Sequence, residues 1–326
     1  MKKSTKTIFT SFTLAGALVL TACGQSNGAT FVKTLQNDSK KNQTNLKVKF
    51  DELKVNTQEP STFIEINTPI EVTILTSKDR KTSNYTVKSG DISYKGILDG
   101  NKSYLSADMV SSALTSGLKK QGAANLLPES TIKKVEDKLN DNLKDKYLEQ
   151  TDVDKVTGNS IVDYQTEIIK FFVSSNFDLS IYEKATDKKD FQQKDGSITF
   201  NLDKDKIDKI ITKASKDSEK EKDSSKSKEI KDVQKAWNEN KNNIDALNLS
   251  NKLDTKTGKL TTKFELVGAL DNQGISTKGT FDYSTEDSKD EPTNVSEKDV
   301  ISSEKVQKTL SDAINEVLQG LFGNGK

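Results

Sequence analysis

Alternating apolar and polar residues predict β-strands in several parts of the chain. The clearest pattern covers residues 64–74, where Ile64, Ile66, Ile70, Val72 and Ile74 fall on even positions and Glu65, Asn67, Glu71 and Thr73 fall on odd ones. Pro69 interrupts this run, so we expect a strand edge or a bend there. Other alternating runs are marked by Leu46, Val48, Phe50, Tyr85, Val87, Ile92, Tyr94, Ile198, Phe200, Leu202, Leu247, Leu249, Phe264, Leu266, Phe281 and Tyr283.

Irregularities in these runs predict a bulge and turns. The alternation over residues 46–50 slips in phase to Leu53 and Val55, which is typical of a β-bulge. Residues 254–258 and 271–274 are rich in turn-forming residues and separate three strand patterns. The sequence therefore predicts an antiparallel meander near the end of the chain.

Apolar residues at helical spacing predict helices between the strand blocks. A first helix is indicated from Phe31, and a second stripe runs from Ile132 to Tyr147 after Pro128. Further helices are predicted around residues 207–211, 230–237 and 306–321. Blocks of strands broken by helices favour the α+β class, with an antiparallel sheet packed on several helices.

The N-terminus has the parts of an export signal. Three lysines precede an apolar run of 13 residues, Ile8–Leu20, and small residues follow it. As a helix this run is about 20 Å long, too short to cross a bilayer core of about 30 Å comfortably. We therefore interpret residues 1–22 as a signal peptide. The alternatives, an uncleaved membrane anchor or a buried core helix, leave Cys23 unexplained.

The four residues at the end of this signal, Leu20, Thr21, Ala22 and Cys23, resemble the lipobox of bacterial lipoproteins of the Gram-positive type. The resemblance implies that the Cys23 thiol receives a diacylglyceryl group and that a peptidase cuts before Cys23. Two acyl chains suffice for stable anchoring, whereas one chain binds only marginally. We expect a protein anchored to the extracytoplasmic face of the cell membrane, with residues 23–30 as a tether and residues 31–321 as the α+β domain.

The composition excludes several classes of function. The chain has no histidine and one cysteine, so histidine-based catalysis, disulfides and histidine or thiolate metal sites are excluded. Chemistry based on carboxylates, lysine, tyrosine or a Ser–Lys pair remains open, as do oxygen-ligand metals. The acid-rich segment 152–158 lacks the third ligand of a calcium loop. We therefore assign no catalytic residue, no metal and no cofactor, and we expect a non-enzymatic protein.

The net charge of the chain indicates which kinds of partner it can bind. Residues 1–22 contain three of the 50 basic residues and none of the 49 acidic ones, so the mature chain has a net charge of about −2. This balance gives no electrostatic footprint for nucleic acid. The sequence identifies no protein partner.

One-sided strands broken by helices behind a lipobox, with patterns such as Ile97–Tyr104, resemble the LolA/LppX-like lipoproteins. The resemblance covers roughly residues 31–321. It implies a curved, half-barrel-like antiparallel sheet that wraps over helices, with a hollow that can hold acyl chains. It carries no specific ligand contact over to this chain.

The most apolar part of the mature chain is Ile161–Val173. Two interpretations are open, a buried core helix or a segment that lines a ligand site, and in the second Ile168, Phe171 and Phe172 are the candidate ligand-lining residues. The sequence thus favours a lipoprotein that binds a lipid or another apolar ligand at the cell surface. The alternative is a surface structural or interaction lipoprotein without a ligand cavity.

Two further features concern the organisation of the domain. Residues 215–228 are of low complexity with alternating charge, and we expect a mobile surface insertion there. The segments Asp99–Asp108 and Asp195–Asp203 both read as a turn, a strand and an aspartate cap before a helix. This echo suggests two similar halves, about 31–175 and 176–321, while a hairpin feeding a helix is also a common arrangement without duplication.

Overall fold

The structure is a computed structural model. It describes residues 27–56, 62–63, 68–90, 92–100, 102–109, 111–112, 114, 129–152, 186–219, 224–270 and 273–322.

Twelve strands are described. They are β1 Gln43–Asn56, β2 Thr62–Phe63, β3 Ile70–Thr76, β4 Thr82–Ser89, β5 Ile92–Asp99, β6 Lys102–Ser106, β7 Tyr147–Glu149, β8 Phe191–Lys194, β9 Ser197–Asp203, β10 Ile244–Asp254, β11 Leu260–Leu270 and β12 Gln273–Glu286.

Five α-helices are described with them, α1 Asn27–Asp38, α2 Glu129–Leu143, α3 Lys204–Ser218, α4 Ser224–Asn240 and α5 Ser303–Phe322. The paired strands of the described residues are antiparallel. The α+β class with an antiparallel sheet is therefore confirmed.

The chain divides into two compact units. Unit 1 takes the described residues of Met1–Pro69 and Ser174–Asp287, and unit 2 takes those of Ile70–Val173 and Ser288–Lys326. Each unit combines separate segments of the chain, whereas the predicted halves follow one another in sequence. The suggested duplication stays a prediction.

The sheet of unit 1 has the strand order β2-β1-β12-β11-β10-β9-β8. Its last three long strands, β10, β11 and β12, form the predicted meander. The predicted bulge is confirmed, since the register of β1 against β12 shifts between Phe50 and Glu52. This shift returns Leu53 to the face that carries Phe50, so one apolar face continues through the bulge.

Two helices contact the sheet, and a third packs on one of them. Helix α1 contacts β8 and β12, helix α3 contacts β9 and β10, and α4 packs on α3. The ring of Phe31 in α1 meets Phe191 and Phe200 edge-on at 5.7 and 6.4 Å, and those two rings are stacked at 4.2 Å. Phe31 and Phe200 are fully buried. Burying a phenylalanine contributes about 1.5–3 kcal/mol, so this cluster attaches α1 firmly to the sheet.

Unit 2 is a second antiparallel meander with two helices. Its strand order is β3-β4-β5-β6-β7. Helices α2 and α5 pack on each other, with Val135 and Leu139 of α2 and Val306 and Ala313 of α5 fully buried. Lys138 links the two helices through Glu316 at 3.7 Å.

Three expectations differ from the structure. Helix α1 begins at Asn27, inside the segment that we expected to be tether. In the described part of the predicted insertion at 215–228, α3 extends to Ser218 and α4 begins at Ser224. Ser215 and Ser218 are buried, and Ser215 donates a hydrogen bond to Gln234 of α4 at 2.7 Å. These contacts between two helices were not apparent from the polar composition of the segment.

The third difference is at the end of α2. The helical stripe was expected to reach Tyr147, but α2 ends at Leu143 and Tyr147 begins strand β7. Asp145 has a positive φ of 57°, which reverses the chain before the strand. In the described parts of the chain, no helix is long and apolar enough to cross a membrane.

Gly258, in the turn between β10 and β11, provides a test of how α1 is fixed. Its φ is +71°, and a Cβ there would collide with the carboxylate of Asp38 at the end of α1. We expect Gly258→Ala to lower the free energy of unfolding by about 2–4 kcal/mol, combining left-handed strain with overpacking. Urea denaturation of the mature chain measures this loss.

Gly196, between β8 and β9, is the matched control. Its φ is +74°, and a Cβ there would meet no described atom within 4 Å. Gly196→Ala should therefore cost about 1–2 kcal/mol, from backbone strain alone. Equal losses for the two variants would contradict the close approach of Asp38 to Gly258.

Candidate functional site

The site residues predicted from the sequence lie outside the described residues. These are the lipobox residues Leu20, Thr21, Ala22 and Cys23 and the candidate ligand-lining residues Ile168, Phe171 and Phe172. They stay predictions. The described residues of unit 1 nevertheless show which side chains its sheet exposes.

The apolar face of the unit 1 sheet is unevenly covered. Across the sheet, the row nearest the β10–β11 turn is buried throughout, with every side chain at most 8% exposed. That row consists of Ile198, Leu253, Leu260, Tyr283 and Leu46. On the next two rows, the side chains of β9 and β10 and Thr262 of β11 remain buried. Val48, Phe50, Phe264 and Phe281 on the other side of the sheet are partly exposed. The exposed part of this face is therefore confined to one side of the sheet.

We define the aromatic patch as Phe50, Phe264 and Phe281, with Val48, the register partner of Phe281, beside them. All four side chains are partly exposed. The rings of Phe50 and Phe264 meet edge-on at 5.9 Å with an angle of 80° between their planes. Edge-on aromatic pairs add about 0.5–1.5 kcal/mol beyond the burial of their area, so these rings are preorganised.

A glycine makes this ring pair possible. Gly279 of β12 is the register partner of both Phe50 and Phe264. A Cβ at Gly279 would lie 2.7 Å from Cζ of Phe264 and would also collide with the backbone oxygen of Lys49. The missing side chain thus leaves room for the two rings to meet over β12.

A buried polar pair lies next to the patch. Asn251 is fully buried on the apolar face and donates a hydrogen bond to the backbone oxygen of Phe200 at 2.9 Å. Its side-chain oxygen accepts one from Thr262 at 2.8 Å. An unpaired buried amide would cost about 1–3 kcal/mol, so this pairing is needed for the strand order around it. The interruption of the leucine pattern of β10 at Asn251 is the signal that could have identified it.

A surface pocket of about 350 Å³ lies on β9, β10 and β11. Its lining includes Leu202, Leu249 and Phe264, which are on the apolar face, and their exposed neighbours are polar or charged. Because side chains alternate along a strand, these neighbours line the pocket from the outer face. They are Asn201, Asp203, Asn248, Ser250, Lys263 and Glu265.

The polar groups of this outer face are largely paired with one another. Ser250 donates to Asn201 at 2.8 Å, and Asn248 donates to Glu265 at 3.2 Å. Lys278 forms an ion pair with Glu265 at 3.0 Å, which lowers the pKa of that carboxyl and raises the pKa of Lys278. The pocket therefore resembles a hydrated sheet surface more than a preformed polar site.

A partly exposed network around Asp208 joins helices α3 and α4. Asp208 of α3 accepts hydrogen bonds from Lys241 at 2.7 Å and from the indole nitrogen of Trp237 at 2.8 Å. The bond from Lys241, helped by the one from Trp237, lowers the pKa of the Asp208 carboxyl. A lowered pKa keeps this carboxylate ionised, which suits a structural role.

In the ranges that the structure describes, no group of three or more histidine, cysteine, aspartate or glutamate side chains could hold a metal ion. The described acids with lowered pKa values, such as Asp254 and Asp299, owe them to turn hydrogen bonds or to lysine partners.

Comparison with known proteins adds no further constraint. No family model matches the chain, and no curated protein or solved structure is significantly similar to it. The resemblance to LolA/LppX-like lipoproteins therefore stays a prediction.

The network around Asp208 predicts a pH dependence of stability. Because the folded pKa of Asp208 is below its ordinary value of 3.8, its ionisation stabilises the folded state above that value, and this contribution is lost as the pH falls through the folded pKa. We expect Asp208→Asn to be less stable than wild type near neutral pH. The difference should shrink as the pH is lowered below about 4.

Urea denaturation at a series of pH values measures this difference. Asp232→Asn is the control, since Asp232 lies exposed on the neighbouring helix α4. A constant difference between wild type and Asp208→Asn across the acid range would contradict the assignment.

Proposed function

We propose that this chain is an extracytoplasmic lipoprotein, anchored to the cell membrane through a diacylglyceryl group on Cys23, that binds a lipid or another apolar ligand without catalysis. The aromatic patch of unit 1 is the observation that carries the ligand-binding part. The lipobox-like end of an export signal supports the anchor.

The aromatic patch supports an apolar ligand for an energetic reason. Phe50 and Phe264 are partly exposed, whereas Leu202, Leu249 and Leu253 on the same face are buried. Covering apolar area contributes about 25 cal/mol per Å², so a chain of methylene groups laid across the rings would bind favourably. A face that is only partly covered by helices is also what the LolA/LppX-like half-barrel would present to acyl chains.

Substitution of Cys23 tests the anchor. Cys23→Ala removes the only thiol in the chain, so no diacylglyceryl group can be attached. We expect the variant to lose the lipid from its N-terminal peptide and to partition out of the detergent phase, because two acyl chains supply the membrane affinity. Mass spectrometry of that peptide and detergent partitioning are the measurements.

Ser26→Ala, just outside the lipobox, is the control for this experiment. It should remain lipidated and in the detergent phase. If wild type carries no lipid on Cys23, or if Cys23→Ala keeps it, the proposed anchor is wrong.

Substitution of Phe264 tests the ligand site. In the mature chain from residue 24, we expect Phe264→Ser to raise the dissociation constant of a fluorescent fatty acid about tenfold, because a large apolar contact is lost. Fluorescence titration measures this change, and native mass spectrometry identifies any lipid that copurifies.

Val267→Ser is the matched control, since Val267 is a partly exposed apolar residue of the same strand on the opposite face. It should leave fatty-acid binding unchanged. If wild type binds no fatty acid and carries no lipid, or if both substitutions weaken binding equally, the patch is not the ligand site.

A second candidate function is a surface interaction lipoprotein without a ligand cavity. It is favoured by one observation, namely that the surface pocket of unit 1 is lined largely by polar and charged side chains. In that case the aromatic patch would contact a protein or wall polymer. Crosslinking from position 264 in cells would then capture a macromolecular partner, and the purified protein would carry no lipid.

A further inference from the structure

The start of helix α1 is fixed against the sheet of unit 1. The side-chain nitrogen of Asn27, its first residue, donates a hydrogen bond to the backbone oxygen of Phe191 at 3.3 Å. One turn later Phe31 is fully buried, and Val32 and Leu35 are 3% exposed. Removing this helix from the sheet would expose all three apolar side chains, at a cost of several kcal/mol. The position of Asn27 on unit 1 is therefore well defined.

Helix α1 runs from one end of the unit 1 sheet to the other. We call the end at which β8 begins and β9 ends the Asn27 end. The opposite end, which we call the turn end, carries the β8–β9 and β10–β11 turns. Hydrogen bonds join these two turns, because the backbone nitrogen and the hydroxyl of Thr255 both donate to the backbone oxygen of Gly196. Asp38, the last residue of α1, lies against Gly258 at the turn end. A helix of 12 residues spans about 17 Å between the two ends.

The distance from Cys23 to this helix is limited by covalent geometry. Four residue steps separate Cys23 from Asn27, and an extended chain spans at most about 3.6 Å per residue. The lipidated residue is thus within about 14 Å of Asn27, less than the length of α1.

We propose that unit 1 presents its Asn27 end to the lipid headgroups and holds its turn end away from them. This inference rests on the lipid anchor of the proposed function. The partner of the Asn27 end is the surface of the bilayer. The protein contacts this surface because the tether is shorter than helix α1, and no specific lipid is needed.

The orientation has a consequence for the ligand site. Along β12, Gly279 with its partners Phe50 and Phe264 lies four residues closer to the Asn27 end than Tyr283 in the buried row. At about 3.3 Å per residue, the ring pair is up to about 13 Å nearer the membrane than that row. The ring pair therefore lies at the middle of β12, closer to the lipid surface than the buried row at the turn end.

The test uses single introduced cysteines, because Cys23 is the only native one and its thiol is consumed by lipidation. Lys189→Cys lies just before β8 at the Asn27 end, and Lys256→Cys lies in the β10–β11 turn at the turn end. Both lysines are exposed, so the two substitutions are matched in chemistry. Each full-length, lipidated variant is labelled with a fluorophore and reconstituted in phosphatidylglycerol–phosphatidylcholine vesicles that contain a headgroup nitroxide lipid.

We expect the nitroxide to quench the label at position 189 at least about twofold more strongly than the label at position 256. A flexible Gly/Ser insert of about 15 residues between Ser26 and Asn27 spans roughly 20 Å on average, so it should bring the two values together. Equal quenching without the insert, or stronger quenching at position 256, would overturn the orientation.

Flotation of the vesicles separates this outcome from failure of the anchor. If the wild-type protein does not float with the vesicles, the lipid anchor itself is refuted. If it floats and the two positions are quenched equally, the anchor stands and the proposed orientation is wrong.

Discussion

The main constraint on unit 1 is that a sheet with one apolar face must have that face covered. Helices α1 and α3 contact the described strands of this sheet, and α4 packs on α3. Their cover is complete over β9 and β10 and partial over β1, β11 and β12. The remaining features of the unit, from the packing of Phe31 to the exposure of Phe50 and Phe264, follow from where the helices end.

Through the proposed lipid anchor, the first helix would connect this packing to the membrane. Its apolar side chains belong to the core, while its first residue follows the proposed lipidation site after only a few residues. A longer tether would separate the attachment of the protein from the position of its apolar face. With a short tether, the same contacts that stabilise unit 1 also restrict which part of it can reach the lipid surface.

Several small details keep the strands of unit 1 in register. The bulge after Phe50 preserves the apolar face of β1, and Asn251 pairs with Thr262 inside it. Gly279 leaves space for two rings, and Gly258 leaves space for Asp38. These positions carry little hydrophobic signal of their own, yet each one is constrained by a neighbour that lies far away in the sequence.

The sequence by itself determined the spacing of apolar residues in each strand and helix. Alternation predicted β9 to β12 and the bulge in β1, and helical spacing predicted the core residues of α2 to α5, because both patterns depend on local backbone geometry. It also supplied the lipobox-like segment that ends in Cys23, on which the proposed anchor rests. Composition misled at residues 215–228, where Ser215 of α3 is buried and donates a hydrogen bond to Gln234 of α4.

Only the tertiary structure decided which apolar residues stay exposed. Val48 and Leu46 are equivalent in the alternating pattern of β1, but Leu46 is buried and Val48 is not. The difference depends on which part of the sheet the helices cover, and helix placement is set by contacts between distant segments. For the same reason, the candidate patch at Phe50 and Phe264 could not be distinguished in the sequence from ordinary core residues.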